Sequence, residues 1–247
     1  MLQLNDVLSS HKLKIYQDDN YFKFSLDGVL LANFVEFKYT TKKILDIGTG
    51  TGIIPLLLTT KTKLKVDAIE IQKELCDIFD LTVKYNHLSN QINIINSDIK
   101  VYAKQSSNLN KYDILICNPP YYGRKCNNEV KTTQRHQESL ELPELMDSSR
   151  KLLKTKGSLF LVYDSMEFNK VIKTVHEYSF SIKKIQFVHY NKSKKSSIFL
   201  LECIKQGNTQ TNILPPFILY DEDNNKTKEY ERIFMDIEGE KDESKEL

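Results

Sequence analysis

The chain has no tryptophan, no Cys-x-x-Cys pair and no apolar run approaching ~18 residues. The last absence argues against a helical membrane span. The N-terminus, MLQLNDVLSSHKLKIYQDDN, lacks the basic-then-apolar layout of a secretory signal. The four cysteines, Cys76, Cys117, Cys126 and Cys203, are spread along the sequence, and two fall in core segments. They read as reduced thiols of a cytoplasmic protein. Histidine and cysteine never cluster at ligand spacing, so no zinc or other metal site is expected. No internal repeat is visible. The missing tryptophan, beside abundant Lys, Asn and Ile, has the look of nucleotide bias and carries no mechanism.

What is present is an ordinary soluble composition, 40% hydrophobic and 28% charged in 247 residues, enough for one domain with appendages. Net charge is only +2 but is unevenly spread. Residues 221–247 carry 5 Lys+Arg against 11 Asp+Glu, while the preceding 220 residues carry 30 against 22. A basic body suits a polyanionic partner; a solvated lysine-rich surface is the plainer alternative.

From residue 42, short apolar runs alternate with amphipathic stretches. Strands are expected at 42–47, 64–70, 92–96, 111–118, 158–163, 182–190 and 196–205. Helices are expected at 53–60, 72–85, 140–153 (closed by Gly157) and 167–178. The last two strands flank NKSKKS and form an antiparallel hairpin with a basic tip. This pattern predicts an α/β, Rossmann-like seven-stranded sheet, mainly parallel with its last strand antiparallel, and helices on both faces. Residues 1–41 form an N-terminal extension whose segment 22–37 has helical spacing and covers the sheet. Residues 42–205 form the core, 206–235 a C-terminal extension, and 236–247 a disordered acidic tail.

The loop DIGTGTG, residues 46–52, follows the first strand. Its glycines allow a tight turn and close approach of a ligand. Ile53 stands where a G-x-G-x-x-G pattern needs its last glycine, and no Gly-Lys-Ser/Thr follows, so neither phosphate-binding motif is present. Asp46 at the strand end suits an ammonium group rather than a phosphate. Glu70 ends the second strand, where an acid can accept two hydrogen bonds from a ribose diol. Asp98 follows the third strand and can accept from an adenine amino group, with Ile71 and Ile99 flanking the ring. Singly, each acid is more simply a cap. Together, Asp46, Gly48, Gly50, Glu70 and Asp98 fall after strands one, two and three in order, which points to S-adenosylmethionine.

The fourth strand ends in CNPPYYGR, residues 117–124. Proline cannot donate to the ladder, so Pro119 and Pro120 stop the strand and stiffen the loop. The Asn118 side-chain oxygen and the Pro119 carbonyl can both accept from an NH₂ group. Tyr121 can stack on a flat ring. A planar amide or an amino-heterocycle fits equally well.

DIGTGTG, Glu70, Asp98 and NPPYY together resemble the amino-methylating class I S-adenosylmethionine-dependent methyltransferases. With FSLDGVLLANFV, RHQESLELPELMDSSRKLLKTKGSLFLVY and PPFILYDEDNNKTKEY, the chain over residues 15–235 resembles bacterial tRNA adenine-37 N6-methyltransferases. The resemblance implies that Asp46, Gly48, Gly50, Glu70 and Asp98 bind the methyl donor, with Asp27 and Asn118 beside it. It implies that Asn118, Pro119, Pro120 and Tyr121 hold the target adenine of an anticodon loop. Where the family reads Arg-His-Glu, this chain has Arg135-His136-Gln137-Glu138, so Glu138 has no assigned role. Tyr122, Arg124, Lys125 and Arg135 after the loop, and Lys192, Lys194 and Lys195 at the hairpin tip, would meet RNA. The sequence does not fix the oligomeric state, and a monomer is slightly favoured. The alternatives are a glutamine N5-methyltransferase, a DNA adenine N6-methyltransferase, and an RNA-binding protein that has lost catalysis. The first needs more than the roughly 40 residues preceding the first strand. The second needs a recognition domain not visible after residue 205. For the third, every expected ligand residue is nevertheless in place.

Overall fold

The computed structural model describes residues 1–7, 13–21, 25–119 and 140–234. The elements in chain order are β1 (Leu2–Asp6), β2 (Lys14–Asp18), α1 (Leu26–Phe34), β3 (Ile44–Ile47), α2 (Ile53–Lys61), β4 (Val66–Glu70), α3 (Lys73–Tyr85) and β5 (Ile92–Asn96). There follow α4 (Ile99–Tyr102), β6 (Tyr112–Cys117), α5 (Leu142–Leu152), β7 (Leu153–Asp164), α6 (Phe168–Glu177), β8 (Phe180–His189) and β9 (Ser196–Lys205). Two short strands, β10 (Asn212–Ile213) and β11 (Phe217–Ile218), and helix α7 (Lys228–Phe234) complete the series.

The central sheet runs β8-β9-β7-β6-β3-β4-β5, and β10 and β11 both pair with β8, giving nine strands. β3, β4, β5, β6 and β7 are mutually parallel. β9 lies antiparallel between β7 and β8. β8 therefore points the same way as β3, and its end at His189 lies on the same edge of the sheet as the glycine loop. Strand order reverses between β3 and β6, and a crevice at such a switch point is where open α/β sheets bind ligands.

Residues alternate between two apolar layers because successive strand side chains face opposite ways. Ile44, Ala68 and Ile116 share one core with Val29 and Leu30 of α1, Leu56 of α2 and Phe79 of α3. Leu45, Ile47, Ile69 and Leu115 share the other with Leu145 of α5 and Val171 of α6.

Two expectations need correction, and one element was unforeseen. The sheet has nine strands rather than seven, because β10 and β11 add to the β8 edge through backbone bonds that carry no apolar signature. An unforeseen pair of strands precedes α1, β1 lying antiparallel to β2. It is fixed from outside: Asn86 exchanges bonds with the Lys14 backbone at 3.0 and 2.7 Å, and Thr82 Oγ1 accepts from the Tyr16 amide at 2.9 Å. Gly157 does not close the helix. β7 starts at Leu153, directly after α5, and Gly157 sits where its register against β6 shifts. A Cβ there would stand 2.8 Å from Leu153 Cδ2 and 2.9 Å from the Lys154 carbonyl, so the irregularity needs glycine.

Candidate active site

Asp46 lies on β3 between Ala68 of β4 and Ile116 of β6, on the face covered by α1 and α2. It is 1% exposed. Neither of its carboxylate oxygens, nor the Thr49 hydroxyl, has a hydrogen-bond partner within normal geometry among the described residues. Burial, reinforced by the nearby Glu70 carboxylate, pushes its pKa up to about 7, against a smaller opposing effect of Thr49. A buried carboxylate without donors is costly, and a cation brought to it removes the cost.

The turn after Asp46 is built to leave room. Gly48 and Gly50 have φ of +66° and +58°, and a Cβ built on either would meet nothing within 4 Å. Their need for glycine comes from the left-handed backbone, and the space before them is open. The Gly48 and Thr49 amides donate to the Ile69 carbonyl at 2.9 and 3.1 Å, which ties the turn to β4. Gly52 is different: at φ +89° its Cβ would fall 1.9 Å from the buried Phe79 ring. The buried Glu70 carboxylate spans the turn, accepting from the Gly50 amide through Oε2 and from the Gln72 amide through Oε1, each at 3.0 Å.

The remaining expected donor-site residues are less alike. Asp98 is the N-cap of α4, its Oδ1 accepting from the Lys100 amide at 2.8 Å. Ile71, next to Glu70, is exposed, whereas Ile99 is buried in the layer containing Ile69 and Tyr102. Asn118 and the buried Pro119 leave β6 beside α1. A Cβ on Gly28 would lie 3.5 Å from Asn118 Nδ2 and 3.2 Å from Ile53 Cγ2. The small residue in α1 thus lets the helix approach the strand end, and the adjacent Asp27, in the first turn of α1, is buried. Burial, with Asp46 and Glu70 nearby, raises the Cys117 thiol well above its usual value and keeps it protonated. Thr49 and Gly28 were not singled out by the sequence. Both stand inside quoted motifs, but only the packing shows their use.

Lys192, Lys194 and Lys195 are exposed at the β8–β9 tip, on the same edge as the crevice. Pro120, Tyr121, Tyr122, Arg124, Lys125 and Arg135 lie outside the described residues. Among the described residues no cluster of His, Cys, Asp or Glu could hold a metal ion, and no helix is long and apolar enough to cross a membrane.

This switch-point crevice on a sheet of this topology defines a class I methyltransferase fold. The fold is similar to that of a predicted O-methyltransferase from Agrobacterium tumefaciens, with TM-score 0.70 and 17% identity over 85% of this chain and 96% of that one. Residues 26–190 match the methyltransferase small domain family. The chain is 31% identical to a tRNA1(Val) (adenine(37)-N6)-methyltransferase of Parabacteroides distasonis, over 72% of this chain and 74% of the relative. It is 26% identical to the enzyme of the same name from Flavobacterium psychrophilum, over 77% and 83%. The chain belongs to the methyltransferase small domain family and, within it, to the family of these tRNA1(Val) adenine-37 N6-methyltransferases. Membership implies S-adenosylmethionine as cofactor, and the buried Asp46 carboxylate, which has no donor within normal geometry among the described residues, fits its cationic end behind an open glycine turn.

Proposed function

We propose that this protein transfers a methyl group from S-adenosylmethionine to the exocyclic N6 of an adenine in tRNA, at position 37 of the anticodon loop. The observation that carries this reading is the pairing of two features across one crevice. Asp46 is a buried acid on β3 without donors among the described residues, and Asn118-Pro119 is an acceptor pair at the neighbouring end of β6. The names of the relatives supply the nucleic acid and the position.

When bound, the cofactor supplies an electrophilic methyl group. Asp46 would hold its ammonium end, and Glu70 the ribose diol, since each carboxylate oxygen can accept more than one bond. Asp98, Ile71 and Ile99 would hold the adenine, with Asp27, Gly48, Gly50 and Asn118 lining the approach. On the acceptor side, Asn118 Oδ1 and the Pro119 carbonyl would accept from the target NH₂. That nitrogen's lone pair is delocalised into the ring, and two acceptors draw it toward tetrahedral geometry and aim it at the methyl. Proton loss follows attack, so orientation and electrostatics carry the rate rather than a strong base. Pro120 stiffens the loop, and Tyr121 would stack on the adenine. Tyr122, Arg124, Lys125, Arg135, Lys192, Lys194 and Lys195 would meet the RNA backbone. Residues 42–205 act as the catalytic core between two extensions, in a cytoplasmic monomer.

The test is incubation with labelled S-adenosylmethionine and unmodified tRNA, followed by digestion to nucleosides. Labelled N6-methyladenosine is expected, and Asn118→Ala should abolish it while cofactor binding persists. Bound cofactor without transfer to tRNA would overturn the reading.

A further inference from the structure

The C-terminal edge of the sheet divides at the switch point. β3, β4 and β5 carry the acids assigned to the methyl donor. β7 and β8, on the far side of β6, end in two large apolar side chains that no step above uses. Met166, in the turn after β7, is 92% exposed. Tyr190, the residue after β8, is 44% exposed. With strands ~4.8 Å apart, Met166 stands about one strand and Tyr190 about three strands, or about 14 Å, from the end of β6.

Neither is on a loose segment. The Met166 amide donates to Asp164 Oδ1 at 2.9 Å, and Ser165 Oγ meets Ser196 Oγ at 2.8 Å, which ties the turn to the start of β9. Tyr190 heads a ladder of rings, with Tyr220 at 4.7 Å, Tyr230 a further 5.6 Å on, and Phe234 stacked on Tyr230 at 4.4 Å. The Tyr220 amide donates to the Tyr190 carbonyl at 2.8 Å. His189 Nδ1 and the Lys194 carbonyl, 2.9 Å apart, fix the base of the lysine-bearing tip. A half-exposed ring already held from behind loses little freedom when a flat ligand stacks on it. An exposed tyrosine flanked by lysines is the pairing that single-stranded nucleic acid uses, ring on base and ammonium on phosphate.

We infer that Met166 and Tyr190 form a ledge for unpaired nucleotides flanking the target base, a single-stranded RNA subsite separate from the crevice. Its source in tRNA rests on the function proposed above; its chemistry does not.

The test measures binding of a cofactor-free protein to an anticodon stem-loop RNA and to a fully paired RNA, across a salt series. Methyl transfer by the unaltered protein is recorded in parallel. Tyr190→Ala and Met166→Ser should each weaken stem-loop binding by about fivefold or more, with little effect on paired RNA. Tyr190→Phe should retain binding, since the ring remains. Tyr190→Leu, which keeps apolar packing against Tyr220, should lose it even if Tyr190→Ala unfolds. The salt slope should be unchanged in the Tyr190 variants and reduced by about one in Lys194→Ala. Folded Tyr190→Leu and Met166→Ser binding the stem-loop as tightly as the parent would overturn the ledge, whether or not methyl transfer occurs. Absence of RNA binding by the unaltered protein would overturn it too. Loss of binding in those variants supports the ledge, even if the unaltered protein transfers no methyl group to tRNA.

Discussion

The amide of Gly50 donates to Oε2 of Glu70 at 3.0 Å, joining two motif residues that stand 20 apart in the sequence. One carboxylate therefore sets the shape of the glycine turn and faces the crevice. Glu70→Ala removes this bond and the one to Gln72. The variant also removes the acceptors proposed for the ribose diol, and because bonds to charged acceptors are worth about 1.5–3 kcal/mol each, S-adenosylmethionine affinity should fall more than about tenfold. Glu70→Gln, which keeps one acceptor oxygen, should fall between. Titration calorimetry of the three proteins checks this.

Asp46 makes stability depend on pH. Its folded pKa of about 7 stands above an unfolded value near ~3.9, so the folded chain holds the extra proton between them. The contribution is present below the unfolded value and is lost as pH rises through about 7. Asp46→Asn should remove that slope and stabilise the cofactor-free protein near pH 8 by up to about 4 kcal/mol. It should also weaken cofactor binding. Denaturant unfolding at pH 5 and pH 8, with and without cofactor, separates the two effects.

Gly52→Ala should destabilise the fold by about 2–5 kcal/mol, because a Cβ would enter the Phe79 ring and the backbone is left-handed. Gly52→Ala with Phe79→Ala should cost less than the sum of the two, since the clash disappears. Gly50→Ala has open space before it and should affect cofactor affinity more than melting temperature.

Lys61, at the end of α2, donates to the carbonyls of Ala32, Asn33 and Val35 at 3.0, 2.7 and 2.7 Å. It caps the C-terminus of α1, the helix that carries Asp27 and Gly28. Lys61→Met keeps the apolar stem but not the charge. It should cost about 1–3 kcal/mol in thermal or denaturant unfolding.

The strand–helix alternation, the mainly parallel sheet and the positions of Asp46, Glu70 and Asn118 were legible in the chain. Buried parallel strands such as ILDI and YDILIC are largely apolar, so Asp46 stands out within its run, one residue before the strand ends at Ile47, and Asn118 stands out just past Cys117. The β1–β2 pair was hidden because its strands are largely polar and held by Asn86 and Thr82 far along the sequence. The early start of β7 was hidden because KTKG has no strand signature; pairing with β6 decides it. Asp98 could be named as an acid after a strand, but not as the cap of α4.

By itself the sequence determined the class of fold and which residue types end each strand, because hydrophobic period and turn chemistry are local. Tertiary structure alone decided that Asp46 is buried with no donor among the described residues, that Gly28 brings α1 against Asn118, and that Met166 and Tyr190 share the edge with the crevice. Those relations depend on strand order and on helices packing across the sheet, which no local pattern encodes.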